Sequence, residues 1–115
     1  MNQSSIDNSK KKFPHLASKL IFSGTYFDHH KICYFIQCET YEVIIGEANS
    51  KFTTLWRGTV KSKITCITHC HKNHIIYAGS AKGIIITIDL KNDGNFDKID
   101  STDGERILTM FAYSN

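Results

Sequence analysis

From Leu20 onward the chain is a succession of short runs rich in β-branched and aromatic residues. The runs are Leu20-Ile21-Phe22, Ile32-Cys33-Tyr34-Phe35-Ile36, Tyr41-Glu42-Val43-Ile44-Ile45 and Phe52-Thr53-Thr54-Leu55-Trp56. Three more follow: Ile64-Thr65-Cys66-Ile67, Ile75-Ile76-Tyr77-Ala78 and Ile84-Ile85-Ile86-Thr87-Ile88. Gly, Asn, Asp and Lys clusters separate them, as turns separate strands. No segment sustains a helical period. The strand starts recur about every ten residues, a spacing that predicts an antiparallel all-β chain.

The runs also repeat. Shifted by 43 residues, Ile21 falls on Ile64, Ile32 on Ile75, Tyr34 on Tyr77 and Ile45 on Ile88. The same shift carries Ile64 onto Ile107, so Ile107-Leu108-Thr109-Met110-Phe111 repeats the run that opens each unit. Four strands in about 40–45 residues is the period of a β-propeller blade. Ile84-Ile85-Ile86-Thr87-Ile88 is apolar at odd and even positions alike, and successive side chains of a strand point to opposite faces. Such a strand needs cover on both faces, as a blade between neighbouring blades has; a sheet with one wet face would alternate.

Composition changes this picture little. Hydrophobic residues make up 41% and charged residues 22% of 115 residues, ordinary for one folded domain. The formal charge of +3 is mild, and apart from Lys10-Lys11-Lys12 the bases are scattered. Direct binding to nucleic acid, which favours clustered base with Arg, is not expected. No apolar stretch reaches the roughly 20 residues of a membrane span. Met1 to Ser9 is polar, without a signal-peptide core. A cytoplasmic or nuclear location is therefore expected, with Cys33, Cys38, Cys66 and Cys70 reduced.

The segment from Ile64 to Leu90 resembles a WD repeat. Gly79-Ser80 closes its second strand, Gly83 closes the following turn, and Asp89 stands where the family has its aspartate, with Ile88 in place of the tryptophan. Gly83 would take positive φ in a tight hairpin, which a Cβ opposes. Gly79 and Ser80 are small where chains crowd. The family's Gly-His before the inner strand is replaced by Gly58-Thr59-Val60-Lys61-Ser62-Lys63. In the earlier unit Cys38-Glu39-Thr40 replaces the Ala-Lys-Gly turn and Gly46 replaces the aspartate. The resemblance implies antiparallel four-stranded propeller blades at about residues 18–60 and 61–103, then the opening strand of a third at 104–115, behind a disordered polar tail at 1–14.

Other constellations carry less. Cys66-x-x-His69-Cys70-His71-x-x-His74 has zinc-ligand residue types at short spacing, but Cys66 sits inside a strand as a small core residue and no second knuckle accompanies it. Asp28-His29-His30 reads as loop polarity, and Asp97, Asp100, Asp103 and Glu105 as a solvated outer strand and loop without the alternation of a calcium loop. No motif of a nucleophile, phosphate loop or zinc protease is present. No catalytic residue, cofactor or metal site is expected. Trp56 beside Arg57 is the candidate contact pair for a partner.

These readings converge on a protein–protein interaction scaffold. Its alternative is a component of a ribonucleoprotein or chromatin complex. A propeller closes with about four to eight blades. The two units and one strand counted here are thus an incomplete propeller, expected to belong to a longer one, to self-associate or to complete a partner's propeller.

Overall fold

A computed structural model describes residues 11–12, 19–91, 95–100 and 104–109, with the backbone alone for 95–100. The described residues form eight strands: β1 (Leu20–Asp28), β2 (Lys31–Cys38), β3 (Glu42–Glu47), β4 (Thr53–Thr59), β5 (Ile64–Cys70), β6 (Ile75–Ser80), β7 (Ile84–Asp89) and β8 (Asn95–Asp100). They form two four-stranded antiparallel sheets, ordered β1-β2-β3-β4 and β5-β6-β7-β8. Each strand pairs with its sequence neighbour, so both sheets are meanders. The chain divides into two compact units at 59/60, each holding one sheet. The tail expected at residues 1–14 lies outside the described residues except for Lys11 and Lys12. Among the described residues no helix is long and apolar enough to cross a membrane.

In the first unit β2 is the most enclosed strand. Cys33 to Cys38 are all buried, Gln37 among them. On one face Tyr34, Ile36 and Cys38 pack with Ile44 and Phe52, and Ala48 lies against them. The opposite face carries Cys33, Phe35, Val43 and Ile45, each at most 1% exposed. Fully burying one such side chain contributes about 1.5–3 kcal/mol, so the central strands hold the sheet. β4 alternates between exposed and half-buried, as a sheet edge does.

β1 runs well past Phe22 because Ser23-Gly24-Thr25 pairs with Ile36, Phe35 and Tyr34. Its polar residues break the apolar signal without breaking the ladder. The turn to β2 is two residues, His29 and His30, both with positive φ (47° and 69°). That sign pattern belongs to the type I′ hairpin, normally Asn-Gly.

In the second unit Ile76, Ala78, Ile86 and Ile88 are fully buried. They share one face, since Ile76 pairs with Ile88 and Ala78 with Ile86. Ile85, Tyr77 and Thr87 on the other face are half-buried. β7 is thus covered more completely on one face than its unbroken apolar run implies.

The strand expected to open a third unit is not formed over its described part. Residues 105–109 carry no strand, and 110–115 lie outside the described residues. Gly104, at φ +86°, turns the chain, and Glu105 and Arg106 are exposed. Ile107 alone is buried there; its N–H donates to the Ser80 carbonyl at 3.0 Å, and the Thr65 hydroxyl donates to its carbonyl. The segment docks on the second unit as a single anchored residue.

The ungapped repeat holds for the first hairpin and then slips. Thr25 pairs with Tyr34 as Thr68 pairs with Tyr77. In the next ladder Phe35 faces Ile45, whereas Ala78, its counterpart, faces Ile86. Ile45 therefore corresponds to Ile86 and not to Ile88. The cause is the second hairpin, which reaches one rung further in the first unit: Glu39-Thr40-Tyr41 is its loop, and Ala81-Lys82-Gly83 is the loop of the shorter one.

Candidate functional site

The residues singled out in the sequence fall into three places. The first is the β6–β7 loop. Ser80 is fully buried at the end of β6. Its hydroxyl accepts from the N–H of Lys82 at 3.2 Å and of Ile84 at 3.0 Å. Its carbonyl accepts from Gly83 N–H at 3.3 Å. Gly83 has φ +78°, the left-handed conformation anticipated for it. Asp89 ends β7, and its Oδ1 accepts from Lys91 N–H at 3.0 Å, an Asx turn. Gly79 pairs with Cys66 across the β5–β6 ladder. These four residues shape the backbone; their polar atoms are occupied in turns.

The first unit builds the same loop from different residues. Tyr41 N–H donates to the Cys38 carbonyl at 2.8 Å, as Gly83 does to Ser80. Glu39 N–H donates to Lys19 at 3.2 Å, as Ala81 does to Lys63 at 2.9 Å. Cys38 thus stands where Ser80 stands, and Tyr41, at φ +63°, stands where Gly83 stands. The expected replacement of Ala-Lys-Gly by Cys38-Glu39-Thr40 is therefore one residue out of step. Gly46 is not the counterpart of Asp89 either. A Cβ on Gly46 would lie 2.5 Å from the Phe52 ring, so Gly46 makes room for a buried aromatic. The turn-fixing role falls to Asn49, whose Oδ1 accepts from Lys51 N–H at 3.0 Å and Thr53 N–H at 3.3 Å. The Asn49-Ser50-Lys51 polar cluster carried that signal in the sequence.

The second place is β4. Trp56 and Arg57 are adjacent, so their side chains leave opposite faces of the strand. Trp56 is half-buried, pairs with Ile45 and lays its ring over Gly58, where a Cβ would lie 2.6 Å from it. Arg57 is exposed and ion-paired with Glu42. The two do not form one contact patch. Trp56 is a packing residue, and Arg57 lies opposite Ile44 in the β3–β4 ladder.

The third place is the β5–β6 hairpin. His69 and His71 are two residues apart, with ring centroids 6.0 Å apart; the rings of His71 and His74 are 6.4 Å apart. His71 is exposed, and His69 and His74 are half-buried. Cys66 and Cys70 leave the opposite face of β5 from His69 and His71, so the sequence run divides into a thiol face and an imidazole face. No three ligand atoms from Cys66, His69, Cys70, His71 and His74 lie within 4.8 Å of one another. All four cysteines are free thiols.

One buried pair lay outside the sequence reading. Tyr26 faces Cys33 across the β1–β2 ladder, and both are buried. Burial, and secondarily Cys33, pushes the Tyr26 phenol well above its ordinary value. Burial also pushes the Cys33 thiol up. Both are neutral at pH 7, so this is an inert core pair and not a reactive thiolate. No family model matches the chain, and no curated protein matches it in sequence.

Proposed function

We propose that the chain is a protein–protein interaction scaffold built of two WD-like propeller blades. The observation that carries this reading is the shared plan of the two units. Each is a four-stranded meander whose second hairpin closes through the same pair of backbone hydrogen bonds, with a left-handed residue third in a three-residue loop. Enclosure of the central strands also supports it: β2 is buried on both faces, as a strand inside a stack of blades is. On this reading loops and strand edges meet partners, while the packed sheets supply rigidity.

A propeller takes about four to eight blades, and this chain supplies two. Further blades come from other sequence, from copies or from a partner. Sedimentation velocity at micromolar concentration tests the reading. Assemblies of two to four chains are expected for the isolated polypeptide, following the same blade count of about four to eight. A compact monomer that unfolds cooperatively counts against it. Anisotropy of labelled RNA and DNA at low salt is expected to stay flat; salt-dependent binding would move the reading to a nucleic-acid module.

A further inference from the structure

We propose that the end of the second unit where β6 turns into β7 binds an extended acidic segment of a partner protein. The occupant rests on the scaffold reading; the site itself lies within one unit. Three segments meet at this end: 61–63, 80–83 and 104–107. Ala81 N–H donates to the Lys63 carbonyl at 2.9 Å, and Ile107 N–H donates to the Ser80 carbonyl at 3.0 Å. These bonds gather Lys61, Lys63, Lys82 and Arg106 around one loop. All four are exposed. Among the described residues no carboxylate pairs with any of them. The three segments hold a single acid, Glu105, which has an interaction of its own.

The first unit shows what is missing. There Glu39 N–H donates to the Lys19 carbonyl at 3.2 Å, so Glu39 and Lys19 stand where Ala81 and Lys63 stand. The Glu39 carboxylate lies 3.8 Å from the Lys19 ammonium. In the second unit the acid is an alanine, and Lys82 follows it where Thr40 follows Glu39. The same loop is neutralised in one unit and left cationic in the other, so a carboxylate from outside can take the place of Glu39. The cations come from three segments and not from one pocket, which suits a row of carboxylates better than a lone anion. An extended peptide with acids at alternate positions sets them about 7 Å apart on one side. Single-stranded nucleic acid would call for aromatic platforms. Among the described residues the exposed Phe and Tyr rings, Phe27 and Tyr41, lie in the first unit. Beside the cations stands Leu108, 77% exposed, an aliphatic contact for a peptide.

The test uses the full chain and a fluorescein-labelled peptide of alternating Glu and Ser, read by anisotropy at low salt. Saturable binding that weakens with added salt is expected. Lys63→Gln and Lys82→Gln should each weaken it about threefold to fivefold, the scale of an exposed charge pair. Ala81→Glu should weaken it to a similar degree, by supplying the carboxylate from within. Lys91→Gln, beyond the far end of β7, should bind as the wild type. All four positions lie in loops and turns, so the circular dichroism should stay native. Absence of saturable binding overturns the proposal. So does wild-type affinity in Ala81→Glu and Lys63→Gln, or an equal loss in Lys91→Gln. Displacement of the peptide by submillimolar inorganic phosphate, or tighter binding of labelled oligouridylate, overturns it in favour of a single anion or a nucleic acid. Sedimentation separates this from the scaffold reading: assembly without peptide binding removes this site alone, and peptide binding by a compact monomer removes the blade reading alone.

Discussion

Gly46 and Phe52 make a sharp test of the packing in the first unit. A Cβ at Gly46 would stand 2.5 Å from Cε1 and Cζ of Phe52, where ordinary contact begins at 3.4 Å. The ring must retreat by the difference, 0.9 Å. It has nowhere to go: Phe52 is fully buried and packs among Tyr34, Ile36 and Ile44. Overfilling a closed core in this way costs about 1–3 kcal/mol. Phe52→Leu removes the two ring atoms at 2.5 Å, and the remaining Cδ1 contact at 3.0 Å falls to a leucine methyl that can turn aside. With Leu at 52, Gly46→Ala should become neutral or favourable, because glycine inside a strand is worse than alanine by about 0.5–1 kcal/mol.

Trp56, the only tryptophan, pairs with Ile45 next to this site, so its fluorescence follows unfolding of this sheet. Urea titrations of the wild type, Gly46→Ala, Phe52→Leu and the double variant give the cycle. A loss of about 2 kcal/mol in Gly46→Ala moves the midpoint by more than 1 M for a slope near 1.5 kcal/mol/M. The coupling should exceed about 1.5 kcal/mol, well above the 0.3–0.5 kcal/mol scatter of independent sites. Additive single effects would mean that the ring yields freely and that Gly46 is there for another reason.

The paired loops predict opposite responses to introducing and removing a glycine at the same left-handed position. Tyr41→Gly should stabilise the first unit, and Gly83→Ala should destabilise the second, each by about 1 kcal/mol, since a left-handed non-glycine residue costs about 1–2 kcal/mol; hydrogen exchange of the flanking strands reads each unit separately. Ser80→Ala removes an acceptor shared by two N–H groups and should cost about 1–2 kcal/mol, seen as faster exchange of Ile84 N–H. Replacing His29-His30 by Asn-Gly should raise the midpoint of the first unit, because both residues hold positive φ. The raised values of Cys33 and Tyr26 set the alkaline limb. Each group is neutral in the fold and more acidic when unfolded, so its contribution is complete below its ordinary value and is lost above it. Stability should fall as pH climbs past about 9, by up to about 1.4 kcal/mol per pH unit for each group; Tyr26→Phe should flatten the upper part of the curve in urea titrations.

How much was legible in the sequence follows from what each signal measures. Apolar runs locate central strands well, because enclosure there selects β-branched and aromatic residues: Ile32–Ile36 and Ile84–Ile88 both lie within strands. They locate edges poorly. β1 continues through Ser23-Gly24-Thr25, whose ladder bonds are made by the backbone whatever the side chain. The separation of Trp56 from Arg57 follows from strand alternation alone, yet adjacency in sequence suggested one patch. The histidine grouping was visible as spacing, but which residues share a face depended on the strand register. Positive φ at Tyr41, Phe52 and His74 was invisible, since none of these residue types announces it.

The slip in the repeat explains why the two units share few residues. A hairpin one rung longer changes which residue of the third strand faces which residue of the second, so matching by sequence offset pairs the wrong partners from there on. Asp89 has no aspartate opposite it in the first unit, and counting by offset finds Gly46. The task at that place is to fix the chain as it leaves the third strand, by a side-chain oxygen accepting from the N–H two residues on. Asp89 does it toward Lys91 and Asn49 toward Lys51, both at 3.0 Å. Asn adds a donor that Asp lacks, and its Nδ2 binds the Thr53 hydroxyl at 2.9 Å, tying the turn to the first residue of β4. The bonds to Lys51 and Thr53 bracket the left-handed Phe52, whose ring lies against Gly46. The glycine that seemed to stand for a lost aspartate is thus the receiving half of a turn whose polar half lies three residues later. Asn49→Asp keeps the acceptor and removes the donor. It should leave the Lys51 bond intact while loosening Phe52, seen as increased ring mobility in NMR relaxation; unchanged mobility would separate the turn from the ring.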